Sequence, residues 1–409
     1  MGARRGAWAV EGVSAGAGAS ASASVGAADG GTTVSSSSSA AAASRGDAGT
    51  GGCRVLRGPI ELPVRAAAAL ALHGDSLEVA LNDDGRPRIL TFAAGAVPAA
   101  APNAPDPPRE GADGGTVPGY PIACAVAGDR VFCPDRTGAV HRAGKDGGGD
   151  RLVASSRTGT RVSASVLGGS HAAMAYLASR QTSEGWVSEA WLAVDDEPPV
   201  RISEDGAGAT SLVLERRGAS VLAVSVDARA ALTALHVRPI TFEGKAHLGE
   251  DVVAFVGGPG ERRTTAACVP AAAAAAGGPP GAPLWALLPI SKDIGSFGLA
   301  IVRIDEPARV DEPVVWSLYP NGLDPAPVAG AVEGGRTWVA RAVPKGPEVG
   351  SPRRLELGTV AADGAFASHD TIGTTGKPTD VSLVFDAHGA AWLAWLDGAG
   401  SWLERLLCK

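Results

Sequence analysis

The run Ala390–Asp397, AAWLAWLD, carries apolar side chains on both of its faces. It is too short for a good helix, and Gly-containing turns close it at either end, Asp386-Ala387-His388-Gly389 and Asp397-Gly398-Ala399-Gly400, so it reads as a strand. Side chains alternate along a strand, which sends Trp392, Ala394 and Leu396 one way and Leu393 and Trp395 the other. An antiparallel sheet wetted on one side would alternate apolar with polar residues. This one does not, so it must lie between two other layers. Small sheets stacked radially about an axis meet that requirement.

The same grammar, an apolar strand, a turn built on Gly and a second apolar strand, recurs upstream. It is found at Ala68–Leu81, Pro121–Cys133, Ser163–Ala178, Thr210–Val226, Pro327–Val343 and Val381–Leu396. A distorted copy, Thr265–Pro289, carries a poly-Ala and Gly-Pro insertion at its turn. The seven copies are spaced roughly 40 to 60 residues apart, the interval of propeller blades. Further strands are expected at Arg86–Phe92, Trp186–Val194, Leu232–Phe242, Gly298–Ile304 and Arg353–Val360. Two irregular segments, Ala93–Gly119 and Gly257–Pro283, read as mobile surface loops.

The chain resembles β-propeller repeat proteins across Arg54 to Cys408, and the resemblance is architectural. The Gly-His and Trp-Asp pairs of WD40-type repeats are not present, and Asp386-Ala387-His388-Gly389-Ala390-Ala391-Trp392 is only similar to a sialidase-type Asp-box. Kelch-type double glycines occur at Gly168-Gly169 and Gly334-Gly335, but not in most copies. The resemblance therefore implies a fold and assigns no functional residues. The expected class is all-β, a single seven-bladed propeller over residues 53–409 behind a disordered Ala/Ser/Gly-rich tail over residues 1–52, which cannot bury enough apolar surface to order itself. A pair of β-sandwich domains split near Gly257–Pro283 is the competing architecture.

Strand accounting adds a closure. The last copy supplies three strands, while Arg54–Arg65 precedes the first copy and has no partner of its own. In a ring that strand would pair beside Ser401–Leu407 and remove two open edges. Cys53 and Cys408 then meet, and a disulfide between them would lock the ring. A second pair follows from a two-residue turn at Gly128-Asp129, which sets Cys124 opposite Cys133 at a non-hydrogen-bonded site, where Cα atoms approach to about 4.5 Å. Two facing buried thiols are the alternative there, because redox state depends on compartment. Cys268 is the odd thiol.

Charge excludes some partners. The formal net charge is −7 with no basic stripe, which disfavours nucleic acid. The pairs Arg216-Arg217, Arg262-Arg263 and Arg353-Arg354 read as solvated loop charges. No apolar segment reaches the ~18 uncharged residues of a transmembrane helix. Gly52-Cys53 looks somewhat like the end of a lipoprotein signal, but Thr50 stands where an aliphatic residue is usual and no apolar core precedes it, so the tail reads as a spacer.

No motif for catalysis, cofactor or metal emerges. Gly12-Val13-Ser14-Ala15-Gly16 fits the serine-hydrolase elbow but sits in the low-complexity tail. The seven histidines have no metal spacing, and there is no Cys-x-x-Cys. The acidic runs Asn82-Asp83-Asp84-Gly85 and Asp195-Asp196-Glu197 have turn chemistry in place of a calcium loop. Trp285, Trp316, Trp338, Trp392, Trp395 and Trp402 read as wedges between sheets in preference to a sugar-binding face. The expectation is an exported, monomeric, non-catalytic binding or scaffold propeller, secreted or in the cell envelope, that takes a protein or carbohydrate ligand on one face. The alternatives are a propeller-fold glycoside hydrolase or lyase, whose carboxylates would converge at the channel mouth, and a cytoplasmic location.

Overall fold

The computed structural model of the protein describes residues 52–93, 122–146, 148–157, 160–183, 185–229, 232–258, 261–263, 267–270, 283–292, 296–305, 309–319, 327–346, 348, 351–374 and 376–408. Residues 1–51, which hold nearly all of the expected disordered tail, and 94–121, the bulk of the first irregular segment, lie outside the described residues. Every helix or strand element among the described residues is a β-strand, and the strands form seven antiparallel sheets.

Each sheet opens on one of the seven hairpins. The first strand, β1 (Arg54–Glu61), belongs to the last sheet. Blade one is β2 (Ala68–His73), β3 (Ser76–Asp83) and β4 (Arg86–Ala93). Blade two is β5 (Ala125–Ala127), β6 (Arg130–Pro134), β7 (Ala139–Gly144) and β8 (Arg151–Ser155). Blade three is β9 (Ser163–Leu167), β10 (His171–Thr182), β11 (Gly185–Val194) and β12 (Val200–Arg201). Blade four is β13 (Ala209–Arg217), β14 (Ser220–Arg229) and β15 (Leu232–Phe242), with β16 (Ala246–Leu248) and β17 (Val252–Gly257) both paired to β15. In blade five, β18 (Glu261–Arg263) and β19 (Ala267–Pro270) share one edge of β20 (Leu284–Lys292), and β21 (Ser296–Asp305) carries β22 (Arg309–Val310) and β23 (Val314–Tyr319). Blade six is β24 (Val328–Glu333), β25 (Arg336–Pro344), β26 (Arg353–Val360) and β27 (Phe366–Ile372). Blade seven is β28 (Asp380–Phe385), β29 (Ala390–Leu396), β30 (Ser401–Leu407) and, outermost, β1.

The inner strands β2, β5, β9, β13, β19, β24 and β28 neighbour one another in that order, and β28 returns to β2. The circle closes, and the molecule is a seven-bladed propeller. The pairing of β1 with β30 runs from Arg54 opposite Leu407 to Glu61 opposite Trp402. A disulfide joins Cys53 to Cys408 at the end of that pairing, with Cα atoms 4.1 Å apart. The β5–β6 register is Ala127 to Arg130, Val126 to Val131 and Ala125 to Phe132, and a second disulfide joins Cys124 to Cys133 with Cα atoms 4.4 Å apart.

The core lies between the blades. All seven residues of β29 are buried. Trp392 and Ala394 pack with Leu77, Val79 and Leu81 of blade one, whereas Ala391, Leu393 and Trp395 join a cluster that includes Trp338 and Leu357 of blade six. Trp285, Trp338, Trp392 and Trp395 are buried wedges, and Trp316 and Trp402 pack partly buried against the same cluster. Turns are fixed by aspartates. Asp386 accepts from the N–H groups of His388 and Ala390 and from Trp392 Nε1, and Asp397 accepts from Ala399 N, Gly400 N and Trp402 Nε1. The Asp-box-like stretch is thus a turn that anchors a wedge tryptophan. The acidic runs are turns as well: Asn82 accepts from Gly85 N, and Asp84 and Asp195 hold positive φ values of 50° and 47°.

Two expectations need correction. Gly257–Pro283 is not simply a loop, because β18 and β19 within it form the inner edge of blade five. The edge of β20 would otherwise be an unpaired row of backbone groups. The arginine pairs are not solvated loop charges either. They fall at strand ends, where alternation turns one member inward: Arg217, Arg263 and Arg353 are buried, whereas Arg216 is exposed. Arg263 is neutralised by Glu261 Oε1 at 2.7 Å.

Candidate functional site

Blade three carries the longest described strand, the 12-residue β10. Strand β9 pairs only with its His171–Ala175 half, so the β10–β11 hairpin projects beyond the inner strand. Alternation aims Met174, Tyr176, Ala178 and Arg180 at blade two, and the register sets Tyr176 opposite Trp191 and Ala178 opposite Glu189. Met174 and Tyr176 pack there with Ala125, Phe132 and Val140 of blade two. Above this packing the two blades separate into a cleft of about 300 Å³. Its walls are Ser155 of β8, Tyr176, Ala178, Arg180, Glu189, Trp191 and Pro199.

The charges of the cleft are organised around one oxygen. Glu189 is 2% exposed, and its Oε1 accepts from Arg180 Nη2 at 3.0 Å, Arg201 Nη1 at 3.2 Å and Gly206 N at 3.2 Å. Arg180 and Arg201 also pair with Asp205. The Arg180 hydrogen bond holds the Glu189 pKa down at about 2 against the opposing effect of burial, with Gly206 N assisting. None of these bonds uses Glu189 Oε2. The Tyr176 hydroxyl and Trp191 Nε1 likewise have no hydrogen-bond partner among the described residues, and burial raises the Tyr176 pKa.

The axis carries a second polar arrangement. Arg161, just ahead of β9 in blade three, pairs with Asp380, the buried first residue of β28 in blade seven. These blades are not neighbours in the ring, so the ion pair crosses the channel. Burial by the surrounding strands lowers the Arg161 pKa. On β13 of blade four, burial raises the Glu215 pKa to about 8, opposed by the charge of Arg217.

A third group is enclosed in blade four. His236 Nε2 lies 2.9 Å from Asp227 Oδ2, and its Nδ1 lies 2.9 Å from Asp251 Oδ2. Arg238 Nη2 approaches the same Asp251 oxygen at 3.3 Å and donates through Nη1 to Ile202 O of blade three. Burial alone would lower the His236 pKa, but the two carboxylates raise it to about 9. Among the described residues no group of His, Cys, Asp and Glu has the geometry to hold a metal.

The four cysteines singled out in the sequence sit at two structural joints, remote in role from these polar groups. The polar groups themselves were missed. The signal was Tyr176-x-Ala178-x-Arg180 facing Glu189-x-Trp191 across one hairpin, and it is readable only once the β10–β11 register is known. Trp186 and Trp191, outside the six tryptophans read as wedges, are the ones that meet solvent or line the cleft; Trp186 is 72% exposed.

No known family model matches this chain, and no curated protein matches it. Solved structures do. A Bacteroides thetaiotaomicron auxiliary nutrient binding protein matches at 7% identity and a TM-score of 0.38, over 68% of this chain and 66% of its own. A subtype N10 neuraminidase-like protein of A/little yellow-shouldered bat/Guatemala/060/2010 matches at 10% identity and 0.43, over 69% and 93%. The protein YjhT matches at 9% identity and 0.39, over 69% and 92%.

Proposed function

We propose that the chain is an exported, non-catalytic binding propeller whose ligand enters the cleft between blades two and three. The observation that carries the binding reading is the state of Glu189. A glycosidase needs a protonated acid beside an ionised carboxylate, and Glu189 is the one carboxylate among the residues lining this cleft. The carboxylate of this cleft is pinned ionised by two arginines. Such a group accepts hydrogen bonds and orients a ligand without donating a proton. Export is supported by the two disulfides, which persist in oxidising compartments. Residues 1–52 are then a spacer ahead of a propeller unit at 53–409, which acts as a monomer.

Peptide mass mapping of protein from its native host under non-reducing conditions tests export. Both bonds intact support it, and free thiols at Cys53, Cys408, Cys124 and Cys133 overturn it. A lipid on Cys53 would use the sulfur that bonds Cys408, so the same map separates a secreted from a lipid-anchored protein. Sedimentation of the purified chain tests the monomer.

One observation favours a hydrolase or lyase instead. Glu215, with a pKa near 8, is protonated at neutral pH as a general acid would be. Its interacting charge is Arg217, where a glycosidase would place a second carboxylate. Turnover of any glycan that is abolished by Glu215→Gln would establish that reading and displace ours.

A further inference from the structure

We infer that the ligand of the blade-two/blade-three cleft is the ring of a neutral sugar. The inference rests on the binding reading above and narrows it to a chemical class.

Size comes first. An open depression of about 300 Å³ sits at the lower end of small-molecule sites, enough to seat one ring. Its chemistry is divided. Trp191 and Tyr176, side by side across the β10–β11 pairing, give an aromatic wall. Aromatic faces pair with apolar, weakly positive C–H surfaces. Around that wall stand the ionised Glu189 carboxylate, the Tyr176 hydroxyl as donor and acceptor, and the Ser155 hydroxyl on the opposite blade. A ligand with one flat C–H face and hydroxyls along its edge satisfies both parts, and a pyranose has that construction.

Charge eliminates the competitors. Glu189 and Asp205 carry two negative charges, and Arg180 and Arg201 carry two positive ones. The rim is neutral in sum. An anionic ligand would find both guanidiniums already sharing their charge with Glu189 and Asp205, and the ionised Glu189 beside them. A cationic ligand could use Trp191 and Glu189, but Arg180 and Arg201 lie 3.0 and 3.2 Å from that carboxylate and oppose it. A neutral polyol donates a hydroxyl to the Glu189 carboxylate, and a charge-assisted hydrogen bond of this kind is stronger than a neutral one.

The test uses the full-length oxidised chain. Titration calorimetry and ligand-observed NMR are run with glucose, galactose and mannose and their disaccharides, beside glucuronate, choline and adenosine. Two variants accompany the wild type: Tyr176→Phe, which removes only the hydroxyl, and Ala178→Trp, which fills the cleft. The expected result is binding of at least one neutral sugar, weakened about 5- to 10-fold by Tyr176→Phe and abolished by Ala178→Trp. If Ala178→Trp does not fold, the Tyr176→Phe shift carries the decision alone. Binding of only glucuronate, choline or adenosine, sensitive to either variant, would overturn the sugar class while the cleft remains a binding site. Sugar binding indifferent to both variants would overturn the cleft as its location. No binding by any of these probes would overturn the sugar inference, and the binding reading would then require a ligand of another class, such as a protein.

Discussion

His236, fixed between Asp227 and Asp251, titrates near pH 9 in the folded chain against an ordinary value of 6.5. The folded state binds its proton more tightly than the unfolded state does. Its contribution is therefore complete below about pH 6.5 and is lost as pH rises through 9. Glu215 acts in the same direction at lower pH. Burial raises its pKa from 4.5 to about 8, so the fold loses stability as pH climbs through that interval. Urea denaturation across pH 5 to 10 should show a steady decline; Glu215→Gln should flatten the acidic half of the slope and His236→Asn the alkaline half. Asp386 makes a different kind of contribution. Burial would raise its pKa, yet the N–H groups of Ala390 and His388 and the Arg405 guanidinium lower it, and Arg405 Nη2 stands 2.6 Å away. Asp386→Ala leaves Arg405 and Trp392 Nε1 without that acceptor, and should cost about 3 to 5 kcal/mol in equilibrium denaturation.

At the scale of strands, Gly358 shows why one position in a pairing is restricted. It lies at a register shift between β26 and β27, and a Cβ there would be driven into Ala367 O and, at 2.6 Å, Phe366 Cζ. Gly358→Ala should push β27 off β26 and destabilise the fold by about 1 to 3 kcal/mol, read as a drop in melting temperature. Nothing in the local sequence marks that glycine, because the collision is with a strand eight to nine residues on. The seven hairpins were legible for the opposite reason. Each carries its own turn and its own two apolar runs, as in Val381–Leu396, so the evidence is contiguous. Closure was legible by subtraction, since Arg54–Glu61 had no other strand to join. The cleft was not, because Tyr176, Glu189 and Trp191 acquire meaning from a cross-strand register and from Ser155 on another blade. Arg217, Arg263 and Arg353 were misread as solvated for the same reason: which member of an arginine pair turns inward depends on the phase of the strand.

Across the whole molecule the Cys53–Cys408 bond spans a sequence separation of 355 residues, while Cys124–Cys133 spans 9. In the chain-entropy picture the first is worth on the order of 5 kcal/mol and the second about half of that. Cys53→Ser with Cys408→Ser should therefore lower the denaturation midpoint about twice as far as Cys124→Ser with Cys133→Ser. With Cys53–Cys408 reduced, a single protease cut between residues 271 and 282 should still leave a native ring associated through the β1–β30 pairing, whereas two sandwich domains would part.

The pairing of β1 with β30 also sets a timetable. Among the described strands, β1 is made before all the others and its partner β30 after them, so β1 must travel uncommitted while six blades are assembled behind it. A chain stopped short of Ser401 has no place for β1, however well its inner hairpins form. The ring is complete only once β30 has been made, and a copy lacking β30 presents to the cell's quality control a strand edge that the closed ring covers.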